Sequence, residues 1–432
     1  MKKHIVLVSL DWERPQDGRS SLGIASIAAS LKAAEIPYQV IEDAVNSPDF
    51  DYLSLERRVL ETINELESLG HECLVGIGAF IWNEQQTQQL TKSVRTVTNA
   101  TQVLGGPQIS YMEVGQLELN YPYADIFVRG HGEKAMVSLA TESIHSSAGI
   151  HFSGTKDLGE KAEHSLNDLP SPWLTGILIP GKSIRWETMR GCPFRCSFCQ
   201  HRESGSRFKT KEQQLDIIRI QNEVNLFAKS GVKRISILDP IFHLDTPRTV
   251  ELLNQFRDVG LTAQLALQCR FESVKDEFLD ALEGLEVVLE FGLQTAIQEE
   301  GKLIGRPNRL DIAEKVIHKL KARNIPFEIS LIYGLPEQTV ESFGRSLAWC
   351  RSQGVPEIRA WPLMILRGTE LDKQRECFGL VESTDETIPH VIASNSFNHA
   401  EYLQMKALAD ASNIRCIIDE PEGSNYGIFY RA

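Results

Sequence analysis

Three cysteines stand close together in the stretch Met189 to Gln200, which reads M-R-G-C-P-F-R-C-S-F-C-Q. Cys192, Cys196 and Cys199 form one C-x3-C-x2-C loop. Thiolates at that spacing can ligate a single iron–sulfur cluster from one loop. Three local ligands leave one iron of a four-iron cluster without a cysteine. An open coordination position is what separates a reactive metal site from a closed structural one. Zinc is the competing reading, since His201 stands near enough in sequence to be a fourth ligand. Zinc prefers four ligands in C-x2-C pairs or Cys/His mixtures.

Such a loop needs a scaffold. With 432 residues, 42% of them hydrophobic, the chain is long enough for two or three domains with sizeable cores. The net charge of −13 argues against a general nucleic-acid binder. The other five cysteines, Cys73, Cys269, Cys350, Cys377 and Cys416, are scattered. That pattern suits a reduced cytoplasmic protein better than a disulfide framework. Met1-Lys2-Lys3 precedes an apolar run, Ile5–Leu10, too short for a signal peptide. No apolar stretch reaches the roughly 18 residues of a membrane helix, so no membrane partner is expected.

Residues 1–145 alternate strand and helix patterns. Strands are expected at Ile5–Leu10, Tyr38–Ile41, Cys73–Ala79, Gln102–Leu104 and Ala124–Val128, with helices between them at Leu22–Ala34, Leu53–Leu69 and Glu84–Thr98. This is the pattern of a Rossmann-like, doubly wound parallel sheet. Ligands of such sheets bind beyond the carboxyl ends of the strands. Two glycine turns fall there, Gly105-Gly106-Pro107-Gln108 and Gly130-His131-Gly132-Glu133. Residues 146–183 read as a linker, broken by Asp168-Leu169-Pro170-Ser171-Pro172.

Alternation resumes at Ile184. Six strands are expected, at 184–189, 233–238, 262–268, 286–292, 327–332 and 357–363, which predicts a partial (βα)6 TIM-type barrel over 184–379. Chemistry in barrels gathers at the carboxyl ends of strands, and the cysteine loop follows the first. Residues 380–432 form a small C-terminal α/β extension, with a helix over Glu401–Ala411 and a strand over Ile414–Ile418, expected to cover the barrel mouth.

The cysteine loop, with the aromatic Phe198 before its last cysteine, resembles that of the radical S-adenosylmethionine (SAM) enzymes. Other segments resemble the family in the same order. Glu290-Phe291-Gly292-Leu293-Gln294-Thr295 is similar to E-x-G-L-Q-S/T, and Ile332-Tyr333-Gly334-Leu335-Pro336-Glu337-Gln338-Thr339 to I-x-G-L-P-x-Q-T. Asp239-Pro240-Ile241-Phe242 is similar to the family's D-P-x-F. In the first domain Gly18–Leu31, which contains Ser20, Ser21 and Leu22, resembles a cobalamin-binding domain fused to many radical SAM enzymes. So do Trp82-Asn83-Glu84 and the two glycine turns.

The resemblance implies a 4Fe-4S cluster on Cys192, Cys196 and Cys199, with SAM chelating the open iron. Phe198, Asp239, Glu290, Gln294, Gly334 and Leu335 are then SAM-side contacts, and Arg306 would meet the SAM carboxylate through a forked ion pair. Arg270 is a further candidate for an anionic group. Ser20, Ser21, Leu22, Trp82, Asn83, Gly105, Gly106, Pro107, Gln108, Gly130, His131, Gly132 and Glu133 would line cobalamin. No histidine fits Asp-x-His-x-x-Gly, the usual source of a lower cobalt ligand.

The implied reaction cleaves SAM to a 5′-deoxyadenosyl radical and transfers a methyl group from methylcobalamin to an unactivated carbon. The substrate would be a small molecule or peptide, and the electron donor a protein such as flavodoxin or ferredoxin. Three alternatives stay open: non-methylating radical chemistry with or without cobalamin, RNA methylthiolation, and a non-catalytic cofactor-binding protein.

Overall fold

The computed structural model describes residues 3–13, 21–141, 148–201, 213–384 and 387–418, with the backbone alone over 413–418. These residues fall into two compact units, one ending at Ile179 and the other resuming at Pro180.

The first unit is built on β1 (Lys3–Asp11), whose six consecutive buried residues, Ile5–Leu10, mark a strand covered on both faces. Next come α1 (Leu22–Ala33), β2 (Tyr38–Ala44), α2 (Tyr52–Ser68), β3 (Glu72–Gly78), α3 (Glu84–Val97) and β4 (Thr101–Gly105). The short α4 (Pro107–Ser110) and α5 (Leu117–Asn120) follow, then β5 (Ile126–Val128), α6 (Gly132–Thr141) and β6 (Ile150–Phe152). The sheet order is β2-β1-β3-β4-β5-β6, parallel except for β6. Successive β1 side chains enter opposite cores. Val6, Val8 and Leu10 join α2 and α3, whereas Ile5 and Leu7 join α1 and α6. In α2 the Asp51 side chain caps the amides of Leu53 and Ser54, and Leu55, Val59, Ile63 and Leu66 form the buried stripe. The chain reverses direction across the sheet between β1 and β3, the switch point where open α/β sheets take ligands.

Residues 146–183 are not a bare linker. β6 extends the sheet by pairing antiparallel with β5. Asp157 meets Arg129 in a 2.7 Å ion pair whose side chains are each 3% exposed. Burial alone would raise the Asp157 carboxyl, but the Arg129 guanidinium and two backbone amides hold it below the ordinary range. The serine- and proline-rich composition concealed this docking.

The second unit begins with β7 (Ser183–Trp186), β8 (Met189–Arg190), β9 (Gln213–Gln214), α7 (Ile217–Ser230), β10 (Arg234–Ile237), α8 (Thr246–Asp258) and β11 (Gln264–Cys269). It continues with α9 (Asp276–Ala281), β12 (Val287–Gln294), α10 (Gln298–Leu303), α11 (Leu310–Ala322), β13 (Phe327–Tyr333), α12 (Val340–Ser352) and β14 (Glu357–Pro362). Six strands pair in parallel in the order β14-β13-β12-β11-β10-β7. β7 and β14 remain edges, so the barrel is open, as the sequence predicts.

The C-terminal elements are α13 (Glu370–Lys373), the hairpin β15 (Val381–Glu382) and β16 (Val391–Ala393), and α14 (His399–Ile418). The expected strand over Ile414–Ile418 is instead the last turn of α14, which packs on β14 and α12. The β-branched residues there favour a strand only weakly when a helix already runs into them. No described helix is long and apolar enough to cross a membrane.

Removing one partner of a buried ion pair leaves an uncompensated charge. Asp157→Ala should therefore destabilise the first unit by roughly 3–5 kcal/mol in chemical unfolding. An unchanged transition would show that the segment after β6 contributes nothing.

Candidate iron–sulfur and SAM site

The cysteine loop leaves the carboxyl end of β7 and is fixed at its root by Asp239, which follows β10. Asp239 Oδ1 accepts from the amides of Thr188 (2.7 Å) and Met189 (3.0 Å), and Oδ2 accepts from the Thr188 hydroxyl. Asp239 is 1% exposed. Burial pushes its carboxyl up to about 6, against the hydrogen bonds that favour the charged form. The carboxylate expected as a SAM-side contact is thus engaged by the chain and holds the loop. Further along, Ser197 N–H donates to Ile304 O (2.8 Å), Leu371 N–H to Ser197 O (2.9 Å) and Gln200 Nε2 to Arg367 O (2.9 Å). Segments after α10 and β14 therefore clasp the loop from two more directions.

Cys192 and Cys199 both stand near Cys196, whose charge opposes their ionisation. Burial pushes Cys192 up and Cys199 up to about 11, while Arg306 opposes the shift at both. Arg306 Nη1 also donates to Cys196 Sγ at 3.6 Å. Three thiols on one loop, with the Arg306 guanidinium against one of them, are a donor set that suits three irons of a four-iron cluster. Phe198 is half-buried within the loop.

Arg306 is anchored by the Gly292 carbonyl, and its Nε is buried without a partner among the described residues. It therefore stands beside the thiols with donor capacity left, as a carboxylate clamp requires. Gln294 ends β12 with φ 71°, after a register shift between Gly292 and Gln294. A non-glycine residue in that region stores strain, which marks it as functionally constrained.

Glu290 lies four residues before Gln294 on β12, on the far side of the register shift. Its carboxylate accepts from Gln268 and pairs with Arg234 at 3.6 Å. Glu290, expected as a SAM-side contact, belongs to a charged layer inside the barrel. Arg359 donates to Glu328 (2.9 Å) and Glu357 in the same layer, and burial pushes Glu328 up. These residues were not singled out from sequence. Polar residues two apart in otherwise apolar strands, as in R-I-S-I and E-I-R-A, were the available signal.

The G-L-P turn is held from within. Gln338 Oε1 accepts from the amides of Gly334 (2.7 Å) and Leu335 (3.2 Å), and Leu335 is fully buried. Gln338 Nε2 donates to Glu300, which also accepts from Thr295 and Ser342. Buried Glu300, another residue missed in sequence, thus couples the Gln294–Thr295 segment to the G-L-P turn.

In the first unit the named residues do gather at the strand ends, but several are engaged internally. Asn83 is fully buried. Its amide donates to Leu10 O and Gly78 O, and its oxygen accepts from Phe80 N–H. Gln108 donates to Glu84 (2.6 Å). Glu133 accepts from Ser26 (3.1 Å) and lies 3.3 Å from His164 Nε2. Asn83, Gln108 and Glu133 thus use these groups to shape the turns. Gly106 has φ 91°, and a Cβ there would fall 2.7 Å from Ala79 O. Gly130 meets Ala162 in the same way. Both glycines serve close backbone packing.

Trp82 donates to Leu10 O (3.0 Å) and stacks on Phe80 at 4.5 Å. Gly105 ends β4, Pro107 opens α4, and Gly132 opens α6. The His131 ring is 4.7 Å from His164. Ser21 caps α1, and Leu22 is its first residue. Ser20 lies outside the described residues.

Asp239→Asn keeps an oxygen for both amides and should retain the cluster, whereas Asp239→Ala should lose most bound iron, read by iron and sulfide assay. The raised folded-state value means that Asp239's contribution to stability is present at low pH and lost as pH rises through about 6. Wild type should then weaken relative to Asp239→Asn across that range in urea unfolding. Gln294→Gly should relieve strain, stabilising the second unit by about 0.5–1 kcal/mol. The same change should weaken SAM binding roughly fivefold or more in equilibrium dialysis.

Known proteins share this arrangement. The Radical SAM superfamily description matches residues 186–350. The cobalamin-dependent radical SAM methyltransferase TokK of Streptomyces tokunonensis is 26% identical over 71% of this chain and 49% of the relative. An anaerobic magnesium-protoporphyrin IX monomethyl ester cyclase of Cereibacter sphaeroides is 24% identical over 79% of the chain and 57% of the relative. The chain thus spans about half the length of the curated relatives it matches. The solved radical SAM methyltransferase TsrM of Kitasatospora setae superposes with a TM-score of 0.68 at 16% identity, covering 89% of this chain and 79% of TsrM, a likeness of fold. Residues 186–350 therefore match the Radical SAM superfamily, on an open six-stranded barrel with the cysteine loop at its rim and a Rossmann-like sheet ahead of it in the chain, and the chain is similar to enzymes named as cobalamin-dependent radical SAM methyltransferases.

Proposed function

We propose that the chain is a cobalamin-dependent radical SAM methyltransferase acting on an unactivated carbon of a small molecule or peptide. The observation that carries this reading is the clasped cysteine loop, with Arg306 touching one thiol and holding donors in reserve. When bound, the cluster and SAM supply a 5′-deoxyadenosyl radical, and methylcobalamin supplies the methyl group.

The chain's own part is positioning and exclusion of water. Cys192, Cys196 and Cys199 would hold three irons and leave the fourth open. Arg306 would orient a carboxylate beside that open position. Gln294, held in its strained conformation, would present its amide, and Gly334 and Leu335 would offer backbone fixed by Gln338. In the first unit Trp82, Gly105, Gly106, Gly130 and His131 would form the rim for cobalamin. Support comes from TokK, named as a cobalamin-dependent methyltransferase, and from a TsrM structure described with cobalamin and a [4Fe-4S] cluster. A reduced, cytoplasmic setting with a flavodoxin- or ferredoxin-type donor suits seven described cysteines that are all unpaired.

The second reading is non-methylating radical chemistry on the same site. It is kept because the relatives include a cyclase as well as methyltransferases.

Anaerobic protein reconstituted with iron, sulfide and cobalamin should keep a cobalamin absorption band through gel filtration and form 5′-deoxyadenosine from SAM under reduction. Loss of the band with 5′-deoxyadenosine still formed would favour the second reading. Absence of both would refute the proposal.

A further inference from the structure

Arg270 follows β11 and reaches the cysteine loop. Its side chain is 6% exposed. The guanidinium carbon sits 3.9 Å from the centroid of the Phe194 ring, and Phe194 lies between Cys192 and Cys196. Nε donates to Glu272 Oε2 at 3.0 Å. Nη1 is buried and has no hydrogen-bond partner among the described residues. The position is fixed from behind. His243 Nε2 lies 3.1 Å from the Arg270 carbonyl, and His243 is itself fully buried and stacked on Phe278 at 4.8 Å. Burial keeps that imidazole neutral, at about 4, so it adds no charge of its own near neutral pH.

A guanidinium over an aromatic face gains from the ring's negative quadrupole, more so when desolvated. Here the ring belongs to the metal-binding loop, so the contact also fixes where the loop lies. The counter-charge is incomplete. Glu272 takes one of five N–H groups, and its side chain is 21% exposed, where water screens it. The charge of Arg270 is also felt at Cys192, where it opposes the upward push of burial.

A cluster on three thiolates becomes more negative by one charge on reduction. Its potential depends on net charge, solvent exposure and the groups around its ligands. A fixed, poorly solvated cation against the loop favours the reduced form. The role differs from that of Arg306, which touches a ligand sulfur directly and keeps donors for a carboxylate.

We propose that Arg270, clamped face-on to Phe194, is a positioning residue that makes the reduction potential of the loop's cluster less negative. Glu272 acts as the brake on that effect. The inference rests on the cluster reading of the cysteine loop.

The test is a redox titration of anaerobically reconstituted protein without SAM, followed by the EPR signal of the reduced cluster. Arg270→Gln should shift the midpoint to more negative potential at unchanged iron and sulfide content. Arg270→Lys should shift it less, because charge is kept and the planar stack is lost. Glu272→Gln should move it the opposite way. Opposite signs from two partners of one ion pair are not expected of a merely structural contact. If Arg270→Gln fails to hold a cluster, Glu272→Gln decides. A midpoint equal to wild type in a cluster-loaded Arg270→Gln, or in Glu272→Gln, would overturn the inference. Wild-type protein that holds no iron at all would sink the cluster reading itself.

Discussion

A single carboxylate sets the geometry of the reactive end of the barrel. Asp239, delivered by β10, grips the two backbone amides at which the chain turns from β7 into the cysteine loop. The bonds cross neighbouring strands, so the loop's root is tied to the sheet and does not depend on its own sequence for shape. The arrangement is costly, because a desolvated carboxylate prefers to take a proton. A charged anchor is tolerated there because it satisfies three donors at once, two of them amides that would otherwise be buried without partners.

The same economy of contacts recurs around the rim. Buried Glu300 ties together the segments that follow β12 and β13 through Thr295, Gln338 and Ser342. Both segments are irregular and include non-glycine residues at positive φ, Gln294 and Glu337. Strained backbone persists only where surrounding structure over-determines it. The Glu300 network supplies that constraint and fixes the Gln294 and Gly334 turns. Lower in the barrel the charged layer of Arg234, Glu290, Glu328 and Arg359 fills the inner face with paired groups. The lumen thus has a polar floor and a reactive rim.

Much of this was legible in sequence. Six strands were expected in the barrel, and its sheet has six at nearly the same residues, because alternating apolar runs and capped helices carry strong periodic signals. The cysteine loop announces itself through spacing, and the G-L-Q-T and G-L-P turns through their resemblance to family segments. What sequence concealed was the direction in which polar side chains are used. Asp239, Glu290 and Asn83 stand in the right segments, yet their donors and acceptors face the protein. That choice depends on which backbone groups a neighbouring strand leaves unsatisfied, a non-local fact. β6 and Asp157 were hidden for a related reason. Their value lies in partners at Val128 and Arg129, outside a stretch whose own composition reads as a connector.

The central claim is an iron left open by three thiolates and ready for SAM. Its most direct test is the EPR spectrum of the reduced, anaerobically prepared protein before and after SAM is added. About four irons per chain and a spectrum that changes on SAM addition are predicted, because SAM would bind the cluster itself. Tightly held zinc in the loop, or a cluster signal indifferent to SAM, would contradict the account.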